Sequence, residues 1–106
     1  MQWTPNLISD WSKKVMPNLT FDSQKLKMRE EYEEYITASK NKKIEEYADM
    51  VIVAIILKIR FGSDFGYNFI NRYCYSYKKV WKAVNKKMNK NVHRRWDFIN
   101  GVYHHF

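Results

Sequence analysis

The chain of 106 residues has one cysteine, three glycines, two prolines and no long apolar run. The lone Cys74 excludes an intramolecular disulfide and suits a reducing compartment. So few glycine and proline breaks favour long helices with short connections. The longest apolar run, Met50 to Leu57, falls far short of the roughly 20 residues that span a bilayer, which argues against a membrane partner. The opening residues also lack the basic-then-apolar pattern of a secretory signal, so the expectation is a soluble cytoplasmic protein. At this length the chain is expected to form one domain over 1–106 with a single core.

Aromatics are abundant at 17%, and 19 basic against 11 acidic residues give a net charge of +8. That sign favours phosphate-bearing partners, whether nucleotides, nucleic acids or acidic surfaces. In Arg29–Leu57, REEYEEYITASKNKKIEEYADMVIVAIIL, two acidic pairs at three-residue spacing flank a lysine-rich break. On helices, Glu31/Glu34 and Glu46/Asp49 would each share a face, one turn apart. If the break is a hairpin turn, the pairs face each other. Residue numbers 31 with 49, and 34 with 46, both sum to 80 and so centre on Lys40. Four convergent carboxylates repel one another unless a cation sits among them, and a hard oxygen-seeking ion such as Mg²⁺ or Mn²⁺ suits them. The blander alternative is a pair of solvated acidic turns matched with Lys27, Lys42 and Lys43. A di-iron bundle would want Glu-x-x-His on two helices, whereas His93, His104 and His105 all lie in the tail.

Residues 1–19 are expected to hold a short helix over 6–15 and a turn at Pro17. Residues 20–89 form the helical core, opening on a helix from about Phe21 to Ala38 capped by Thr20 or Asp22. Its core side would carry Phe21, Met28, Tyr32, Tyr35 and Ile36, bordered by a ribbon of Gln24, Lys27, Glu31, Glu34 and Ala38. Ser39–Lys43 reads as the turn, with Asn41 tolerating unusual backbone angles. A third helix runs from Lys42 to Phe61 and stops at Gly62. It is apolar on all sides in its second half, so it needs cover from every direction, which suggests a homo-oligomer, dimer or tetramer. A fourth helix is expected over 64–89, with Phe65, Phe69, Ile70, Tyr73, Tyr77, Val80, Trp81 and Val84 on its core face. The basic and aromatic tail, 90–106, reads as a short helix at 94–99 followed by packed chain.

Those motifs carry a family likeness. KMREEYEEY (27–35) resembles the KLxEExxEL segment of the MazG-like all-α nucleoside triphosphate pyrophosphohydrolases, and IEEYADMVIVA (44–54) resembles their EExADxL segment. KMNKNVHRRW (87–96) is similar to the KxxxNxxR element after their last long helix. The closing GVYHHF is similar to tails of phage-type members. The resemblance covers residues 24–96 and departs from the pattern in Tyr35, which stands where leucine is usual. It implies an all-α antiparallel bundle with a four-helix core, and Mg²⁺-dependent hydrolysis of a nucleoside triphosphate to monophosphate and pyrophosphate in nucleotide-pool housekeeping. It also implies Glu31, Glu34, Glu46 and Asp49 as metal ligands. Glu30, Glu34 or Glu45 would take a proton from water, and Lys27, Lys87, Asn91 and Arg94 would hold phosphates and sugar. Trp81 and Trp96 are candidates to stack on a base. Phosphoribosyl-ATP pyrophosphohydrolysis is a related alternative. A different class, a basic helical nucleic-acid-binding protein, rests on Lys86–Arg95 with six basic residues among ten, counting His93. The KxxxNxxR pattern in the same span weighs against nucleic acid as partner.

Overall fold

A computed structural model describes residues 2–70 and 75–106. Among these residues five helices, α1 (Pro5–Val15), α2 (Phe21–Thr37), α3 (Lys43–Phe61), α4 (Tyr67–Ile70) and α5 (Tyr77–Asn91), precede a hairpin of β1 (Trp96–Ile99) and β2 (Val102–His105). Local chemistry sets the helix ends. Thr4 accepts a hydrogen bond from the Leu7 amide, and Pro5 occupies the first turn of α1, where its missing N–H costs nothing. Thr20 and Ser23 form a reciprocal capping box on α2. Gly62, at φ 67°, ends α3 with its own amide on Lys58 O and the Ser63 amide on Leu57 O. A 3-10 turn, Lys40–Lys42, joins α2 to α3 without a left-handed residue; Asn41 needs no unusual angle. Lys43 Nζ closes the C-terminus of α2 on Tyr35 O (2.6 Å) and Ile36 O (3.0 Å).

α3 is the centre. Every residue from Met50 to Leu57 is buried, with α1, α2, α4 and α5 packed around it. Each large aliphatic side chain so covered contributes roughly 1.5–3 kcal/mol relative to exposure. One chain therefore covers the helix whose apolar surface suggests a second subunit, and that reason for an oligomer falls away. Arg60 binds α1 to α3, donating to Ser12 O at 3.0 Å and Pro17 O at 3.3 Å. No helix among the described residues is long and apolar enough to cross a membrane.

Three expectations need correction. The helix over 64–89 is instead α4 and α5. Gly66 is buried so close to α3 that a Cβ there would lie 2.6 Å from Ala54 Cα, and α5 starts afresh at Ser76, which accepts from the Lys79 amide. Tyr73 and Cys74 lie outside the described residues. The core side of α2 is also rotated: Phe21 and Ile36 are exposed, whereas Gln24 and Glu31 are buried with Met28 and Tyr35. Part of the polar ribbon faces inward because α2 walls a cavity. Finally, residues 94–99 are not helical and the chain is not purely α. Asn100 (φ 53°) and Gly101 (φ 80°) make a two-residue turn that pairs Trp96 with His105 and Phe98 with Tyr103.

Candidate functional site

The antiparallel α2–α3 pair brings the two acidic motifs together. One carboxylate oxygen each from Glu31, Glu46 and Asp49 lie within 4.8 Å of one another. Glu34 is exposed, outside this trio, but lines the same cavity of about 280 Å³. Lys27, Lys87, Asn91 and Arg94 line it as well. All eight residues expected as ligands of metal, phosphate or sugar thus share one wall-to-wall space. Glu30 and Glu45 do not line it: the exposed Glu30 lies 3.9 Å from Lys27, and the half-buried Glu45 lies 3.8 Å from Lys42.

The electrostatics are those of a crowded acidic centre. Glu31 is 6% exposed; burial, with the Asp49 charge adding, pushes its carboxyl up to about 8 although Lys27 Nζ stands 3.3 Å away. Burial also raises Asp49, against the pull of Lys87 at 3.2 Å, and raises Glu46, with Asp49 adding. Glu31 Oε2 and Glu46 Oε2 are buried and accept no hydrogen bond from any described residue. Two orphaned carboxylate oxygens beside a third carboxylate are a costly arrangement for a purely structural role. They fit a hard divalent cation, and the cluster could chelate one. The bland reading holds in part, since Lys27 and Lys42 do pair with acids, but Lys43 does not: it caps α2.

The cavity also has an aromatic and aliphatic wall. Trp11 and Trp96 meet edge to face with centroids 5.6 Å apart, and Met16, Leu19, Val102 and Tyr103 complete that wall. The hairpin is held there by Trp96 Nε1 donating to Asn91 O (3.1 Å) and by the Asn18 amide donating to Tyr103 Oη (2.9 Å). Asn91 is itself buried and accepts from Arg94 Nη1 at 3.2 Å, which ties together the last two residues of the KxxxNxxR pattern. His105 lines the cavity too; burial and then the charges of Arg94, Lys27 and Lys87 lower its pKa, so the neutral imidazole is favoured. Of the two tryptophans expected to stack on a base, Trp96 reaches the cavity and Trp81 does not; Trp81 lies beside Tyr77. Trp11, Gln24, Tyr103 and His105 also line the cavity, and sequence motifs assign none of them to a site. The readable signal is Asn100-Gly101 between two aromatic segments, the strongest short hairpin signature, which folds the tail back over the site.

Compared with protein-family models, with curated proteins and with solved structures, this chain matches none.

Proposed function

We propose that this protein is a Mg²⁺-dependent nucleoside triphosphate pyrophosphohydrolase, cleaving between the α and β phosphates to release monophosphate and pyrophosphate. One observation carries the reading. Four carboxylates, three cationic side chains and an amide, from α2, α3, α5 and the segment after it, converge on a single cavity with an aromatic wall. Phosphoanhydride hydrolysis needs positioning and charge neutralisation more than covalent help, and these side chains supply both.

Glu31, Glu46 and Asp49 would hold the ion. When bound, a divalent cation supplies charge neutralisation and a lowered pKa for ligated water. Lys27, Lys87 and Arg94 bind the phosphate oxygens, and Lys87 and Lys27 exchange their carboxylate partners for the substrate's phosphates. Glu34, in the cavity wall but outside the trio, takes the proton of the attacking water; Glu30 and Glu45 do not line the cavity and stay out of this role. Asn91, fixed by Arg94 and Met88, presents to the sugar. Trp11 and Trp96 offer the base an apolar wall. Such an enzyme would serve to clear or regulate a nucleotide pool.

The test is a panel of ribo- and deoxyribonucleoside triphosphates, with phosphoribosyl-ATP included, incubated with Mg²⁺ or Mn²⁺ and the products resolved. Monophosphate and pyrophosphate from at least one substrate is the expected result. Glu31→Gln and Asp49→Asn should each abolish turnover with the fold intact. Activity retained in both would remove the metal site.

A further inference from the structure

The positive charge of this chain is segregated. Residues 65–96 contain nine Lys and Arg and no Asp or Glu, whereas the rest of the chain holds ten basic and eleven acidic residues. The whole net charge of +8 therefore comes from the segment built around α5. α5 then divides that charge by geometry. At about 100° per residue, Lys78, Lys82, Lys86 and Lys90 advance four residues at a time and, with Lys79, occupy an arc of roughly 120°. All five are exposed. Val84, Met88 and Asn91 occupy the buried side, and Lys87 turns to Asp49. The basic run that reads as one patch in sequence is two: Lys87 and Arg94 belong to the cavity, and the five lysines face away from it.

Among the described residues, none of the five makes an ion pair. A solvated helix face ordinarily interleaves both signs to limit self-repulsion; this one carries no acid to do so. Among the described residues no large apolar side chain stands within the arc either; the exposed Tyr77 and Val92 lie outside it. The arc is completed by Ala83, and by Asn89, whose Oδ1 accepts from Trp3 Nε1. A helix seated in a membrane interface would need apolar anchors there. A row of ammonium groups without anchors matches a phosphodiester backbone. From Lys78 to Lys90 the helix rises about 18 Å, a length over which a duplex presents about ten phosphate charges.

We infer that the outer face of α5 is a second binding surface, which docks the phosphate backbone of nucleic acid without reading its sequence. It is independent of the carboxylate cavity and stands whether or not that cavity hydrolyses triphosphates. Contacts of this kind release counterions, so affinity should fall steeply with salt.

The experiment is fluorescence anisotropy of the full chain with labelled 20-mers of duplex DNA, duplex RNA and single-stranded DNA across a salt series. Phosphatidylserine vesicles form a parallel arm. For duplex DNA, five lysine contacts give a log–log slope of about −4.5, or roughly a 500-fold loss of affinity between 50 and 200 mM salt. The triple variant Lys82→Gln, Lys86→Gln, Lys90→Gln should reduce the slope to about −1.8 and leave Mg²⁺ binding at the cavity unchanged. The control Lys25→Gln, Lys40→Gln, Lys42→Gln removes as many charges elsewhere and should leave the slope alone. Equal effects of the two triple variants, binding insensitive to salt, or binding to vesicles with none to nucleic acid would each overturn the inference.

Discussion

Lys87 Nζ lies 3.2 Å from Asp49 Oδ2, joining the inner side of α5 to the acidic turn of α3. The pair is largely shielded, with side-chain exposures of 16% and 24%. Lys87 thus holds a carboxylate that a divalent ion would also claim, and it is the residue expected to pass to a phosphate when substrate arrives. Lys87→Ala should then separate two properties. Removing the competing ammonium should tighten Mg²⁺ binding in the absence of nucleotide by about tenfold, the effect of a partly screened charge pair. Triphosphate turnover should fall by a similar factor or more. Calorimetry at about pH 9, where protons compete least for carboxylates, checks the first, and steady-state kinetics the second. Weaker metal binding in the variant would show that Lys87 supports the site instead of competing for it.

Glu31 makes the stability of the metal-free protein depend on pH. Its folded pKa of about 8 stands above the ordinary value of 4.5. A carboxyl raised in this way favours folding fully below about pH 4.5 and loses that contribution as pH rises through about 8. A pKa difference of this size between folded and unfolded chain corresponds to several kcal/mol, at about 1.4 kcal/mol per pH unit. Urea midpoints of the metal-free wild type should fall between about pH 5 and pH 9. Glu31→Gln, which cannot ionise, should flatten that decline and stabilise the protein at the alkaline end. Parallel declines in the two proteins would show that Glu31 titrates normally.

Below about pH 8 the same carboxyl carries a proton that a metal must displace. Mg²⁺ binding should release close to one proton at about pH 6.5 and progressively less towards pH 9. Calorimetry in buffers of different ionisation enthalpy measures it. Proton release that is absent at the lower pH would place the ion away from Glu31.

Two glycines separate backbone strain from crowding. At Gly62 a Cβ meets nothing within 4 Å, so Gly62→Ala costs only the left-handed conformation at φ 67°, about 1 kcal/mol. At Gly66 the Cβ would lie 2.6 Å from Ala54 Cα and 2.7 Å from its Cβ, and both belong to the buried α3. Gly66→Ala should cost about 2–3 kcal/mol by overpacking. Denaturant unfolding should rank Gly66→Ala well below Gly62→Ala, and the reverse order would contradict the close approach of this segment to α3.

Helix ends are readable from sequence because their signals are local: Thr20, Pro17 and Gly62 act within a turn of themselves. The facing of Glu31 with Asp49 is readable because antiparallel helices conserve the sum of residue numbers. The rotation of α2 is not, since inward Gln24 and Glu31 follow from a cavity that only the packed chain creates. The start of α4 at Tyr67 follows the close approach of Gly66 to Ala54, which periodicity cannot register. The hairpin is legible in Asn100-Gly101, but the basic run before it suggests a helix, and that hides the cavity's aromatic wall. Tyr103 makes the connection concrete. Tyr103→Phe strands the Asn18 amide and should cost about 1 kcal/mol, with a raised KM for triphosphate because the hairpin wall loosens.

Hydrolysis of a reactive triphosphate in ¹⁸O-water, followed by ³¹P NMR, bears most directly on the proposed reaction. Attack at the α phosphorus under Mg²⁺ should place one ¹⁸O in the nucleoside monophosphate and leave pyrophosphate unlabelled, with no product from Glu31→Gln. Inorganic phosphate and nucleoside diphosphate as products, or the same products from Glu31→Gln, would contradict it.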